Sequence, residues 1–295
     1  MLEYRFAQFL VLVTFLLLLL GGIVHGTGSS LACPDWPTCY GTLMPEMKGN
    51  IAIEHGHRLL ASIVGLMTIF QSLLLWRRRR GDKTLVRLGL AAVGLVIFQG
   101  VLGGITVLYQ LPTIISTAHL ATSMLFFSLL NLIVWKTSPT AKVSSFESPF
   151  QSSWIRLTTL FVYLQIVLGA LVRHTGAGIV CTDIPFCQGQ AWPSSVEPLM
   201  RLNELHRWSG LVVAFLVLGL PIILRKLRKT NVQIYFFASV AAFLVVAQIG
   251  LGLWSVVSSL GLLPVTAHLG VGALLLATMV ALSYLTGAWY RPCKN

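Results

Sequence analysis

A chain of 295 residues with 56% hydrophobic and only 10% charged side chains cannot dress itself in polar surface, which excludes a water-soluble globular domain. Its formal charge of +12 would suit a polyanion-binding protein, but the basic residues are not gathered on one segment. They fall in alternate loops between apolar runs, as topology determinants and lipid-headgroup contacts, and nucleic acid is not expected as a partner.

Eight runs are apolar enough, and near enough to the roughly 20 residues needed, to cross a bilayer. They lie near 7–25, 55–76, 87–108, 114–135, 154–173, 203–224, 232–254 and 264–288. The first, with Arg5 before the stretch from Phe9 to Leu20, has the outline of a signal peptide. No small-residue cleavage site follows promptly, and the run has a counterpart later in the chain, so it is read as a helix. The basic loops hold Arg77 to Arg80 with Lys83 and Arg87; Lys136, Lys142 and Arg156; Arg225, Lys226, Arg228 and Lys229; and Arg291 with Lys294. Together with Arg5 they mark the cytoplasmic side, leaving both termini inside a cell membrane and the intervening loops outside.

The chain repeats itself. Glu54-His55-Gly56-His57-Arg58 returns as Asn203-Glu204-Leu205-His206-Arg207, and Thr117-Ala118-His119-Leu120 as Thr266-Ala267-His268-Leu269. The same 62-residue interval separates the two histidines of each half. Val24 through Cys33 aligns with Val172 through Cys181, and Gln99 and Gly103 align with Gln248 and Gly252. The expected fold is therefore all-α and integral to the membrane: eight spans in two tandem four-helix bundles. An even number of helices per repeat gives both halves one orientation, with a pseudo-two-fold axis along the membrane normal. The expected division is 1–140, a cytoplasmic linker over 141–153, and 154–295.

Cys33 and Cys39, and Cys181 and Cys187, form C-x5-C pairs in the long outer loops. In an oxidising compartment a disulfide within each loop is the default. A zinc site would need a second close pair of ligands, which neither loop offers, and a redox-active pair remains the other reading. Cys293 lies on the reducing side, unpaired.

His57, His119, His206 and His268 each sit in an apolar segment, where an imidazole without a partner is costly. In this topology all four lie at one depth near the outer surface, two per half. That is the placement needed to clamp a haem iron from both faces. Four residues after each histidine stands a small residue (Ala61, Ser123, Gly210 and Gly272), which leaves bare helix surface for a flat group. Small residues also serve ordinary helix packing in membranes. His25 and His174 read as interfacial, and His55 lies about 200° round its helix from His57, which removes it as an axial ligand. Arg58 and Arg207 are placed to meet haem propionates or loop carboxylates. Glu54 shares a helix face with His57, whereas the second half has Asn203 there. A carboxylate in one half alone implies chemistry in the first half and a resident cofactor in the second.

The E-x-x-H-R motif at Glu54, the paired Thr-Ala-His helices, the two C-x5-C loops and the duplicated four-helix pattern together resemble the haem A synthase family, across essentially the whole chain. The resemblance implies oxidation of a methyl substituent of haem O to the formyl group of haem A, for terminal oxidases. It implies that His57 and His119 hold the substrate and that His206 and His268 hold a haem b that relays electrons. Glu54 then matches the family's functional carboxylate, and Cys33–Cys39 and Cys181–Cys187 its loop disulfides. Haem O synthase, an electron-transfer partner and a second copy of the chain are the partners this leaves open. A cytochrome b-type, quinol-linked electron-transfer protein and a haem carrier are the competing functions.

Overall fold

The computed structural model describes residues 1–141, 143–144, 148–187, 189–192 and 197–288. Lys142, Arg291, Cys293 and Lys294 lie outside them. Among the described residues the regular structure is helical: α1 (Leu2–Gly26), α2 (Gly49–Arg78), α3 (Lys83–Leu108), α4 (Thr113–Thr137), α5 (Pro149–His174), α6 (Pro198–Ile223), a single turn α7 (Leu227–Thr230), α8 (Val232–Val257) and α9 (Leu262–Leu285). Every helix but α7 is long and apolar enough to cross a membrane, as the eight runs predicted. At 1.5 Å per residue a 25-residue helix extends about 37 Å, more than the roughly 30 Å of a bilayer's hydrocarbon.

Helix starts differ from the apolar runs for identifiable reasons. Pro149 and Pro198 occupy the first turn of α5 and α6, where a missing N–H loses no bond. Both helices therefore begin about a turn before the run becomes apolar. Asp82 caps α3 by accepting from the Leu85 amide at 2.9 Å, and Asn231 caps α8 through the Ile234 amide at 3.2 Å. Within the spans, hydroxyls return to their own helix: Thr14, Thr68, Thr158 and Thr278 each donate to the carbonyl four residues back. The outward faces carry large apolar side chains such as Leu66, Phe215 and Phe243, as lipid contact requires.

The chain forms two compact units, Met1–Pro139 and Thr140–Asn295. In the first, α1, α2, α3 and α4 close a ring in which each helix packs against the next and α4 returns to α1. Ala7, Leu10, Val64, Leu75, Leu85, Ala92, Phe126, Leu130 and Ile133 form its core towards the basic end. There Arg79 pairs with Glu3 at 2.8 Å, and Gln71 donates to the Glu3 carbonyl. In the second unit α5, α6, α8 and α9 close the same kind of ring. Trp154 donates to the Leu216 carbonyl, Thr159 bonds Ser283, and Arg156 reaches the Ala288 carbonyl.

The internal repeat extends to backbone detail. Gly28 and Gly176 both take left-handed φ (68° and 74°) and lead into one turn of 3-10 helix, Ser29–Leu31 and Ala177–Ile179. Isolated bridges join Cys39 to Thr42 and Cys187 to Gln190. Gln110-Leu111 and Ser259-Leu260 turn the chain between helices with positive φ at each residue.

Candidate functional site

His57 is the ninth residue of α2 and His206 the ninth of α6; His119 is the seventh of α4 and His268 the seventh of α9. The earlier helix starts put His57 and His206 a turn further in than the apolar runs implied. Within each unit the two imidazoles lie in electrostatic reach of one another, His57 with His119 and His206 with His268.

Each ring rests edge-on against a glycine of a neighbouring helix. A Cβ at Gly21 of α1 would stand 3.3 Å from Cε1 of His57, and one at Gly103 of α3 3.5 Å from Cε1 of His119. In the second unit the distances are 3.0 Å from Gly169 of α5 to His206 and 3.3 Å from Gly252 of α8 to His268. Four glycine slots thus fix four imidazole planes. The buried atoms without partners include Nδ1 of His57 and of His119, and no hydrogen bond joins any of the four Nε2 atoms to the described residues.

The two pairs differ at Nδ1. His268 Nδ1 meets the Gln248 carbonyl at 3.1 Å; a carbonyl only accepts, so the proton sits on Nδ1 and Nε2 keeps its lone pair. The Gln165 amide lies 3.0 Å from Nδ1 of His206 and donates to the His206 carbonyl at 2.8 Å, while Ser209 donates to Gln165 Oε1. In the first unit Gln99 bonds only the His119 carbonyl, at 2.9 Å, and Thr122 bonds Gln99. Neither His57 nor His119 has a protein partner to set its tautomer.

Both predicted disulfides are present, Cys33–Cys39 and Cys181–Cys187, with S–S distances of 2.04 and 2.00 Å. His55 and Glu204 bring ligand-type atoms close to these sulfurs, but oxidised sulfur offers no thiolate for a metal. His55 Nε2 also meets the Leu43 carbonyl at 3.1 Å.

Glu54 is buried and both its oxygens are engaged. Oε1 accepts from Arg58 at 2.5 Å and Oε2 from the Cys33 amide at 2.8 Å. Arg58 donates further to the carbonyls of Cys33, Asp35 and Thr38. Asp35 closes the loop on itself, accepting from the Thr38 hydroxyl and from the amides of Gly41 and Tyr40. Those bonds, Thr38 first, hold its carboxyl down at about 2. In the second loop Arg207 donates to the carbonyls of Asp183 and Cys181, Asn203 to that of Ala177 and Trp208 to that of Ala191. Glu204 is fully buried beneath this loop, 3.3 Å from Arg207.

The small residues expected to bare the helix surface have another use in the second unit. A Cβ at Gly210 or Gly272 would stand 3.1 Å from the side-chain amide of Gln165 or Gln248, so these glycines admit glutamines. The slots at Gly21 and Gly169, and the Gln165 contact, are absent from the sequence reading. Leu20-Gly21 aligning with Leu168-Gly169 was the available signal for the slots.

Eight membrane-length helices, a histidine pair in each four-helix unit and a disulfide loop beside each pair define a polytopic membrane protein with a duplicated histidine site. The sequence matches the profile of the COX15-CtaA cytochrome oxidase assembly proteins over residues 4–280, and the chain belongs to that family. It is similar to the heme A synthase of Shouchella clausii, 30% identical over 80% of this chain and 81% of the relative. The heme A synthase of Symbiobacterium thermophilum is 30% identical over 93% and 92%. That of Shewanella oneidensis is 28% identical over 94% of each chain.

Proposed function

We propose that this protein is a haem A synthase: it oxidises a methyl substituent of haem O to a formyl group, giving haem A for terminal oxidases. The observation that carries the reading is the duplicated histidine pair. Each unit has two imidazoles seated against glycines, with no partner at Nε2 among the described residues. Donor type and placement suit axial ligation of a haem iron, so the residues fit the group.

His57 and His119 would hold haem O, and His206 and His268 a resident haem b, which when bound relays electrons. The Nδ1 environments support this division. A ligand histidine whose second nitrogen is already hydrogen-bonded is oriented before the metal arrives, which favours a permanent group. His268 has such a contact, donating from Nδ1 to the Gln248 carbonyl, and Gln165 holds the His206 ring in place; His57 and His119 have no partner at Nδ1, as befits a site that fills and empties. Glu54 supplies the one carboxylate beside the substrate pair. Its part is to stabilise positive charge and take up protons released as the methyl passes through an alcohol and a hydrated aldehyde. Arg58 and Arg207 keep positive charge at the outer mouth of each site, where propionates would lie, while their N–H groups hold loop carbonyls.

The basic loops place both termini in the cytoplasm and the disulfide loops outside. Haem O reaches the first unit from the bilayer that dissolves its farnesyl tail. Handover from a haem O synthase, an electron acceptor and pairing with a second copy complete the proposed setting.

Coexpression with a haem O-producing enzyme, followed by acid–acetone extraction and chromatography of the haems, tests the function. Haem A or its hydroxylated precursor is the expected product. Untouched haem O beside bound haem b, with an electron acceptor present, would transfer the protein to the electron-transfer class.

A further inference from the structure

The loop between Cys33 and Cys39 carries a side chain for which the function above has no use. Trp36 is a large aromatic, 41% exposed, on a loop outside the helices. Its indole lies directly on Gly104 of α3: a Cβ there would stand 2.8 Å from Cδ2 and 3.0 Å from Cε2 and Cε3. Only glycine admits that approach. The next residue along the helix, Gly103, is the slot for the His119 ring. Consecutive glycines of α3 therefore seat a ligand histidine and the tryptophan.

The other end of the loop is tied to α2 on either side of His57. Glu54, one turn before it, receives the Cys33 amide, and Arg58, next to it, binds the carbonyls of Cys33, Asp35 and Thr38. Asp35 and the disulfide stiffen the segment between these ties. The loop thus runs from the helix that bears His57 to the glycine beside the His119 slot. Trp36 is held with its indole against the helix and remains 41% exposed.

The second unit lacks this device. At the matching positions it has Ile184 for Trp36 and Leu253 for Gly104, and Asn203 bonds the Ala177 carbonyl rather than the loop cysteine. The tryptophan, the glycine beneath it and the carboxylate that ties its loop occur together in one half.

We infer that Trp36 is a substrate-contacting wall of the first site, its indole stacking on the rim of a planar tetrapyrrole held by His57 and His119. This rests on the reading that the first unit binds haem O, and it adds a specificity residue to that reading. Aromatic stacking favours a flat conjugated ring over the aliphatic surface that Ile184 offers. The rigid loop removes the entropy of ordering the wall at each binding event. Glu54 and Arg58 then also act as positioning residues, through the loop.

The test is titration of haem O into the purified full chain in phosphatidylcholine nanodiscs, followed by the Soret band. Trp36→Leu should weaken haem O binding about fivefold to tenfold, and Trp36→Phe by less than about twofold. Gly104→Ala, which lifts the indole without removing it, should fall between them. Ile184→Ala should bind haem O as the parent does. Haem b content and the Cys33–Cys39 bond, read by non-reducing peptide mapping, should be unchanged in all four. Equal affinity in Trp36→Leu and the parent overturns the inference; should that variant not fold, unchanged affinity in Gly104→Ala does so. His57→Ala separates the two levels. Abolished haem O binding there beside normal binding in Trp36→Leu defeats the wall alone, whereas normal binding in His57→Ala defeats the assignment of the halves.

Discussion

If His206 and His268 hold a resident haem as proposed, alanine at Gly169 should release it without replacing a ligand. The new Cβ would stand 3.0 Å from Cε1 of His206, about half an ångström inside ordinary carbon–carbon contact. The glycine is mid-helix, so its Cβ direction is set by the backbone. The imidazole cannot slide away freely either, because Gln165 touches its Nδ1 at 3.0 Å. A ring displaced by about 0.5 Å is at the limit for holding a bound group in register. Overpacking of this kind costs about 1–3 kcal/mol, or roughly fivefold to 150-fold in haem affinity. The other three slots grade the effect: 3.3 Å at Gly21 and Gly252, and an ordinary 3.5 Å at Gly103. Haem b per protein, measured by pyridine haemochrome during dilution, should fall most for Gly169→Ala and less for Gly252→Ala. Substrate affinity should fall for Gly21→Ala and scarcely for Gly103→Ala. Full haem retention by Gly169→Ala, or greatest damage from Gly103→Ala, would show that the slots do not set the ring positions.

Other consequences are accessible by simpler means. Gln165→Leu, which copies Leu17 at the matching position of the first half, removes the amide at His206 Nδ1 and its bond to the His206 carbonyl; the haem absorption spectrum and midpoint potential should shift, and an unchanged spectrum would remove Gln165 from the setting of that ring. Glu54→Ala should keep haem b but lose turnover, while freeing the Cys33 amide and Arg58; normal haem A output would remove Glu54 from the reaction. Asp35 has its pKa lowered from 3.8 to about 2, so its support of the loop is fully present above about 4 and is lost as pH falls through about 2. Reduction of Cys33–Cys39 by a phosphine should therefore have the same rate from pH 7 to pH 5, and Asp35→Asn should accelerate it at both.

The spans, the histidine registers and the disulfide partners were readable because each depends on composition or on spacing along one segment. The helix starts were less so. Gly49 to Ile53 and Pro198 to Leu202 include Asn50 and Arg201, and a search for apolar runs stops at polar residues that a helix tolerates at a membrane surface. The glycine slots were hidden by chemistry that looks generic, since glycine is common wherever membrane helices pack closely. Only the alignments of Gly21 with Gly169 and of Gly103 with Gly252 set them apart. Gln165 could not be found in that way, because its counterpart is Leu17 and its partner lies 41 residues on, in α6. Trp36 over Gly104 joins a loop to a helix at a position where the other half has Ile184 and Leu253. What repetition repeats was legible; what one half alone acquired was not.

Those unrepeated contacts bear most directly on function. The rings occupy the same helix registers in both units, so divergence must lie in the groups around them. At Nδ1 the second unit has Gln165 and the Gln248 carbonyl, where the first leaves both nitrogens bare. A buried ring nitrogen with no partner costs about 1–3 kcal/mol. The first unit therefore carries two rings that gain from a change in their surroundings, and the second carries rings already satisfied. The loops differ as well: the first is tied by Glu54, Arg58 and Asp35, the second by Arg207, Asn203 and Trp208. Fixed ligands suit a group that stays. Ligands without a second partner, under a rigid loop that presents a carboxylate and a tryptophan, suit a molecule that enters, is turned over and leaves.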